Sequence, residues 1–196
     1  MLALKRFYDV QLAEVIGRMR LELDRRYTYH TVEHTLDVIK CCEEISFAEG
    51  LNESECLILQ ISALFHDTGF LLSRKNHEER SVDIFTEARA EFQLEPSHIR
   101  EIENCIRATR VPQEPQSRLE QIICDADLDY LGRTDFWAIS DSLFVEMTNC
   151  KEISGSEAWK ELQIRFMTAH RFHTKFSKNR RDEQLKINLG EVKAKN

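Results

Sequence analysis

Apolar residues recur at three- and four-residue steps along most of the chain, the spacing that places them on one face of an α-helix. In residues 4–26, for example, the apolar positions form a single stripe and charged residues fill the remaining surface. Similar stripes predict further helices over residues 31–48, 52–65, 77–92, 96–110, 118–131, 134–150 and 154–176. Because the alternation typical of strands is nearly absent, the pattern predicts an all-α bundle of about eight helices.

Several predicted helices are bounded by residues that favour helix ends. Thr31 is suited to begin the second helix and Gly50 to end it, since glycine readily adopts the left-handed conformation found at helix C-termini. Asn52, with Glu55 three residues later, has the sequence signature of a capping box at the start of the third helix. Pro96 stands at the start of the fifth helix, where its missing amide proton costs no hydrogen bond.

The chain is expected to form one domain over residues 1–196. Its 196 residues are enough to enclose one substantial core, and only three prolines and six glycines interrupt the helical pattern. No linker or internal repeat divides the sequence. Residues 177–196 are rich in charge and are predicted to form a weakly packed C-terminal helix or tail.

Charge and cysteine content narrow the possible functions. The net charge of −7 argues against sequence-independent binding to duplex DNA or to an anionic membrane, so a small-molecule partner is expected. The six cysteines are scattered, without metal-binding or disulfide-framework spacing, which is typical of free thiols in a reducing compartment. Charged residues interrupt residues 1–19, where a signal peptide or membrane span would need an apolar run. A cytoplasmic location is therefore expected.

The most informative stretch is the third helix, residues 57–65, which is apolar on all sides and ends at His66-Asp67. A helix of this kind belongs inside a domain. Burying an imidazole and a carboxylate together at its end is costly unless a partner or a metal ion compensates them. The dipeptide is therefore a candidate metal site.

Additional ligands in a helical bundle must project inward, so they must keep step with the apolar stripes. His34 keeps step with the buried side of the second helix. In the sixth helix Asp127 is in step with apolar residues and is expected to face inward, whereas Asp125 and Asp129 are in step with polar residues and are expected to face solvent. Register therefore selects a set of four candidate ligands: His34, His66, Asp67 and Asp127.

Two imidazoles and two carboxylates form a mixed nitrogen and oxygen donor set. Such a set suits borderline divalent ions such as Mn, Fe, Co, Ni or Zn, and Mg also remains open. Coordination positions would remain for water and substrate. For any single helical histidine the alternative is an ordinary hydrogen-bonded core residue, and the strength of the interpretation lies in the four residues together.

This arrangement resembles the His…His-Asp…Asp signature of the HD-domain metal-dependent phosphohydrolases. His34 supplies the first element, His66-Asp67 the second and Asp127 the last. A His-Asp dipeptide alone carries almost no information, whereas these elements in this order and spacing are a specific pattern. The resemblance implies an HD-domain helical bundle around one buried divalent metal ion held by these four residues.

Two neighbouring segments strengthen the resemblance. Tyr29 to His34 is similar to the Tyr-His-x-x-x-His element that HD enzymes share with cyclic-nucleotide phosphodiesterases. Residues 125–132 are similar to the Asp-Ala-Asp segment of small stand-alone HD hydrolases. Together the motifs cover residues 29–132, slightly more than half of the chain.

The resemblance also implies a chemistry, namely hydrolysis by metal-activated water of a phosphomonoester or phosphodiester of a small, nucleotide-like molecule. Asp67 would bind the ion and orient the water. His30 corresponds to the histidine that protonates the leaving oxygen in the phosphodiesterase relatives, and it is the expected general acid. An imidazole titrates near neutral pH, which suits it to this role.

Four further residues are candidate substrate contacts. Some HD enzymes have a histidine where His77 stands, which binds a second metal ion or the substrate phosphate. Thr109 occupies a position where several of those relatives have another histidine, so one ion is expected here and two ions remain the alternative. Arg110 and Arg133 adjoin inward-facing positions, and a guanidinium group matches phosphate oxygens bidentately.

Alternatives of other classes remain open at this stage. One is a non-catalytic HD module that binds or senses a nucleotide with a structural metal, although degenerate modules commonly lose at least one ligand. Another is HD oxygenase chemistry at a di-iron pair, which the doubtful second site disfavours. The basic and aromatic residues of 165–181 are a further candidate for closing the pocket around an anionic substrate.

Overall fold

The computed structural model describes residues 1–195. Over these residues the chain forms nine α-helices and no strand, which confirms the all-α prediction. Single 3₁₀ turns, Thr68–Leu71 and Asp129–Gly132, follow the third and sixth helices. The helices are α1 Leu2–Glu22, α2 Val32–Glu49, α3 Glu53–Phe65, α4 His77–Ala88, α5 Pro96–Ala108, α6 Arg118–Asp127, α7 Phe136–Asn149, α8 Ser156–Ala169 and α9 Lys175–Ala194. Within residues 1–195, no helix combines the length and apolar character needed to cross a membrane.

The predicted start of α3, end of α2 and start of α5 form for the local reasons given above, whereas Thr31 precedes α2 without a capping hydrogen bond from its side chain. The Asn52 side chain accepts hydrogen bonds from the backbone amides of Ser54 and Glu55, both at 3.0 Å. The Glu55 carboxylate accepts the Asn52 amide at 2.9 Å, which completes the capping box. Gly50 ends α2 with a φ of 69°, and Pro96 is the first residue of α5. These interactions fix where α3 starts and therefore where its C-terminal His66 lies.

Helix α3 is the centre of the main core, because α1, α2, α5 and α6 all pack against it. Leu59, Ile61 and Phe65 on α3 are fully buried. The Phe7 ring of α1 stacks on Phe65 with 6.0 Å between ring centroids. This surrounding explains why the α3 sequence is apolar on all sides rather than along one stripe.

A second, smaller core lies where the 129–132 turn meets helices α7 to α9. Phe136, Met167 and Phe172 are nearly completely buried there. The predicted C-terminal helix over 177–196 is present as α9, but the expectation that it packs weakly was wrong. Helix α9 packs against the 129–132 turn and α8, and the Asn188 amide donates to two backbone carbonyls of the adjoining segment, both at 2.9 Å.

Helices α6 and α8 are shorter than the apolar pattern predicted. The α-helix of residues 118–131 ends at Asp127, and the 129–132 turn takes its place beyond that residue. The predicted helix over 154–176 ends at Ala169, and residues 170–174 cross to the start of α9. Asp127 is consequently the last residue of its helix, where its side chain can reach past the helix end.

The prediction that Asp125 and Asp129 face solvent was wrong. Asp125 is 0% exposed and accepts the backbone amides of His173 and Thr174 at 2.7 and 2.8 Å, together with the Thr174 hydroxyl at 2.7 Å. Asp129 accepts two hydrogen bonds from the Arg181 guanidinium, each at 2.7 Å. Residues 170–195 cover the polar side of α6, which the α6 sequence does not reveal.

Candidate metal centre and active site

Three helix ends bring the predicted ligands together at one point. His34 lies in the first turn of α2, His66 follows the last residue of α3, and Asp127 is the last residue of α6. The Nε2 atoms of His34 and His66 are 3.3 Å apart. Asp127 Oδ1 is 3.3 Å from the first of these nitrogens and 3.6 Å from the second. The three side chains thus present one nitrogen or oxygen atom each to a common centre.

Asp67 lies at the edge of the same centre. Its Oδ2 atom is 3.1 Å from His66 Nε2 and 3.5 Å from His34 Nε2. This oxygen is buried, and no described residue donates a hydrogen bond to it. A buried carboxylate oxygen without a donor is unfavourable, so the position of Asp67 calls for a cation.

A backbone carbonyl determines which ring nitrogen of neutral His66 carries the proton. Its Nδ1 lies 2.8 Å from the carbonyl oxygen of Ala63, and because a carbonyl only accepts, Nδ1 must carry the proton. In the neutral ring this leaves a lone pair on Nε2, the atom that faces the centre. A hydrogen bond from the other ring nitrogen is the usual support for a metal-binding histidine.

The ionisable side chains of the centre shift one another's pKa values in the direction that favours a positive charge among them. Burial opposes ionisation of His66, but the carboxylates of Asp67 and Asp127 raise the pKa of its imidazole well above the usual value. Burial likewise opposes ionisation of Asp127, yet the two imidazoles lower the pKa of its carboxyl to about 2. The cluster therefore stabilises positive charge at its centre.

These residues fit a divalent metal ion. Ligands placed about 2.1 Å from one ion lie roughly 3.0 to 3.4 Å from one another, close to the spacings seen here. The mixed nitrogen and oxygen donors match borderline divalent ions rather than calcium, which prefers oxygen alone. The unpartnered Asp67 oxygen and the Nε2 lone pair of His66 both meet the chemical need of such a site.

His77 is held beside the centre by a close contact between the 68–71 turn and α4. A Cβ atom added to Gly69 would lie 1.9 Å from the carbonyl oxygen of His77, so only glycine permits this approach. The Ser81 hydroxyl accepts the Gly69 amide at 2.8 Å and donates to the His66 carbonyl at 2.7 Å. His77 Nε2 consequently lies 3.5 Å from Asp67 Oδ1.

His30 is paired with a glutamate that the sequence analysis missed. The Nδ1 of His30 is 2.5 Å from Oε1 of Glu146, a fully buried residue of α7. Oε2 of Glu146 also accepts the backbone amides of Tyr29 and His30, at 2.9 and 3.0 Å. Although burial raises it, these hydrogen bonds together with one from Arg74 lower the pKa of Glu146 to about 2. Glu146 keeps step with the apolar Leu143 of α7, so the inward-register test applied to α7 would have found it.

The arrangement leaves one nitrogen of His30 available. The ring stacks on Phe70 with 4.2 Å between centroids, and Nε2 makes no hydrogen bond within residues 1–195. Arg74 closes the other side of the pair by donating to Glu146 and, at 2.6 Å, to Glu152. His30 is therefore fixed in orientation while its second nitrogen remains free to meet a ligand.

A cavity of about 370 Å³ opens beside the centre. His30, Asp67, His77 and Asp127 line it near the predicted ligands, and it continues between the 129–132 turn and helices α7 and α8. The remaining lining residues are Tyr29, Arg74, Glu78, Thr109, Val111, Leu128, Tyr130, Leu131, Phe136, Leu143, Met147, Trp159, Leu162, Gln163, Phe166 and Met167. Two of the four predicted ligands, Asp67 and Asp127, and the predicted general acid His30 thus border a volume large enough for a small molecule.

Of the other predicted substrate contacts, the structure places only Thr109 in the cavity lining. Thr109 lines the cavity, but its hydroxyl donates to a backbone carbonyl of its own helix at 2.8 Å. Arg110 is half exposed and pairs with Glu79 at 3.2 Å and with the cavity-lining Glu78 at 3.5 Å, but it does not itself line the cavity. Arg133 pairs with Asp135 at 2.6 Å in a separate surface depression. Neither arginine is among the lining residues of the cavity.

The basic C-terminal region contributes little to the cavity. Of the residues in 165–181, only Phe166 and Met167 line it. Arg180 and Arg181 form ion pairs with Glu44 and Asp129 on another face of the protein. The charge of this region therefore serves packing of α9 against α2 and the 129–132 turn.

Gln113 is a second residue that the sequence analysis missed. Its side-chain amide donates to Asp127 Oδ2 at 3.0 Å, which orients the carboxylate so that Oδ1 faces the two histidines. Gln113 lies in the loop between α5 and α6, where no periodic pattern assigns an inward face. No signal in the sequence identifies such a contact.

Comparison with known proteins gives the family. The HD domain family model matches residues 31–129, just over half of the chain, and the chain belongs to the HD-domain family. No curated protein and no solved structure matches it. HD domains bind divalent metals and are generally metal-dependent hydrolases. The matched region contains His34, His66, Asp67 and Asp127, whereas His30 and helices α7 to α9 lie outside it.

Proposed function

We propose that the protein is a metal-dependent phosphohydrolase that cleaves a monoester or diester of a small phosphorylated molecule. The observation that carries this proposal is the convergence of His34, His66 and Asp127 on one centre, with an unpartnered Asp67 oxygen beside it, at the wall of a cavity. Membership of the HD-domain family supports the same class of reaction.

His34, His66, Asp67 and Asp127 would hold one divalent ion. A divalent ion in such a site supplies a Lewis acid that polarises a phosphoryl oxygen and lowers the pKa of water. Hydrogen bonds from Gln113 and to the Ala63 carbonyl keep Asp127 and His66 in position for this role. We propose one ion rather than two, because the Thr109 hydroxyl is already engaged with its own backbone.

The protein residues around the centre account for the proton transfers. A water oxygen forms the new bond to phosphorus and releases a proton to solvent, the bond from phosphorus to the ester oxygen breaks, and the departing oxygen takes up a proton. His30 would give that proton from Nε2, since Nδ1 is held by Glu146. Asp67 would orient the attacking water, and His77 would contact a phosphoryl oxygen beside Asp67.

The test is to measure bound metal and hydrolysis together. Purified wild type, His66→Ala and Asp127→Ala would be analysed for metal by mass spectrometry. Each would then be assayed on p-nitrophenyl phosphate and bis(p-nitrophenyl) phosphate with Mn, Fe, Co, Ni, Zn and Mg. His98→Ala is the matched control, because His98 lies on α5, outside the centre.

We expect stoichiometric metal and hydrolysis in wild type and in the control, and loss of both in the two ligand variants. His30→Ala should keep the metal and lose most of its turnover. Retention of metal by both ligand variants would refute the ligand assignment. A metal-loaded wild type that hydrolyses no phosphoester would instead favour a non-catalytic sensing module.

A further inference from the structure

We infer that the substrate carries a single phosphoryl group joined to an apolar aryl or alkyl body, which lies in an apolar chamber between α7 and α8. The chamber is the part of the cavity lined by Phe136, Leu143, Met147, Trp159, Leu162 and Phe166. This inference rests on the proposed phosphohydrolase function and specifies its substrate.

The first argument is the distribution of polar groups along the cavity. The ionisable lining residues all come from the segments around the metal centre, at the start of α2, the 67–78 segment and the end of α6. Helices α7 and α8, by contrast, contribute only apolar side chains apart from Gln163. The cavity therefore has a charged part suited to the phosphoryl group and an apolar part suited to a different portion of the same molecule.

The second argument is that apolar side chains of the chamber wall keep solvent-accessible surface. Leu143, Met147, Leu162 and Phe166 are partly rather than fully buried, although they lie on the inner side of the α7 and α8 pair. Leaving apolar surface in contact with water is unfavourable by about 25 cal/mol for each Å². An apolar ligand group would remove that surface from water, and methionine at position 147 can adapt to its shape.

The third argument comes from the charges that are missing from the lining. Arg74 is the one arginine or lysine among the described lining residues, and its guanidinium is engaged by Glu146 and Glu152. Glu78, a buried acid, also lines the cavity. Arg110, the arginine beside Glu78 at 3.5 Å, is likewise paired with acids, so neither arginine is free to neutralise a second or third phosphate, and nucleoside polyphosphates are disfavoured.

The fourth argument concerns hydrogen bonds to a nucleobase. The Gln163 amide donates one N–H to the Ser140 hydroxyl at 2.6 Å, so among the α7 and α8 lining residues its second N–H, its carbonyl oxygen and the Trp159 indole N–H are the groups left for a polar ligand. The tyrosines of the cavity are Tyr29, whose ring lies 4.6 Å from that of His34, and Tyr130, whose ring stacks on Phe136 with 6.2 Å between centroids. The ring nitrogens and amino groups of a base would be left largely unpaired in the chamber, and that loss disfavours binding.

The test measures binding without relying on turnover. Metal-loaded wild type would be titrated calorimetrically with unreactive n-alkylphosphonates from methyl to octyl, and with adenosine 5′-monophosphate for comparison. We expect Kd to fall roughly fourfold with each added methylene, which corresponds to about 0.8 kcal/mol, until the chamber is filled. Hydrolysis of the matching alkyl phosphates should rise in the same order.

Two tryptophan substitutions on α7 provide a matched pair. Leu143→Trp fills the chamber, so the Kd should no longer fall from methylphosphonate to octylphosphonate. Val145→Trp places the same side chain on α7 at a position that is 46% exposed and outside the cavity, and it should behave like wild type.

The outcomes separate this inference from the proposed function. Chain-length-independent binding, or tighter binding of adenosine 5′-monophosphate than of hexylphosphonate, in a protein that hydrolyses phosphoesters would overturn the apolar-body inference alone. Chain-length-dependent binding that Leu143→Trp removes, in a protein that hydrolyses no ester, would refute the hydrolase and retain the chamber as a binding site for an apolar phosphorylated ligand.

Discussion

Oε1 of Glu146 lies 2.5 Å from Nδ1 of His30, although 116 residues separate the two in the sequence. We therefore predict that Glu146→Gln retains metal but lowers kcat by roughly 10- to 100-fold, the usual cost of losing a supporting hydrogen-bond partner. The amide replaces the carboxylate oxygen that lies beside His30 Nδ1. The measurement is kcat as a function of pH alongside metal content.

The control for this prediction is Glu152→Gln, because Glu152 also binds Arg74 but does not contact His30. It should keep both metal and turnover close to wild type. If Glu146→Gln lost metal, Glu146 would be supporting the ligand shell as a whole rather than orienting His30. If kcat of Glu146→Gln depended on pH as it does in wild type, Glu146 would have no role in positioning His30.

Stability should fall at acid pH because of the same carboxylate. The pKa of Glu146 is about 2 in the folded protein and 4.5 when unperturbed, so the unfolded chain binds the proton more readily. This contribution, roughly 3 kcal/mol, is fully present above about pH 4.5 and is lost as the pH falls toward 2. Urea unfolding of the metal-free protein from pH 6 to pH 2.5 would show a smaller decline for Glu146→Gln than for wild type. Parallel declines would contradict the prediction.

Two aspartates of one helix should respond differently to the same isosteric change. Asp127→Asn should lose metal while its far-UV circular dichroism spectrum remains that of a folded protein. Asp125→Asn should keep metal but lower the free energy of unfolding by roughly 1–3 kcal/mol, because Asp125 accepts three hydrogen bonds from residues 173–174. Metal analysis and urea denaturation distinguish the two. If Asp125→Asn lost metal and Asp127→Asn kept it, Asp125 would be the metal ligand and Asp127 would not.

Gly69→Ala should disturb the centre through the backbone. The added Cβ would lie 1.9 Å from the His77 carbonyl oxygen, so α4 must move and the variant should lose stability toward the upper end of about 1–3 kcal/mol. Turnover should fall as well, since His77 moves with α4. Gly17→Ala is the control, because nothing lies within 4 Å of its added Cβ in α1, and it should gain about 0.5–1 kcal/mol. Equal stability of both variants would exclude the close contact as a constraint.

The sequence by itself determined the helical class and the position of the candidate ligands. Both depend on local rules, namely apolar periodicity and the caps at Asn52 and Gly50, which act within a few residues. His34 and Asp127 were selected by register alone, and the structure brings them within 3.3 Å of each other. For these two residues, local periodicity was enough to predict which side of the helix faces the bundle centre.

The tertiary structure decided everything that depends on which element covers which face. The polar side of α6 looks solvent-exposed in sequence, yet the 170–174 segment buries Asp125. Arg133, adjacent to inward positions in sequence, points instead to ion pairs on another surface. The Glu146 partner of His30 and the apolar chamber of α7 and α8 likewise arise from packing between distant segments. Periodicity predicts which face of a helix a residue lies on, but only the packed fold determines which residues that face contacts.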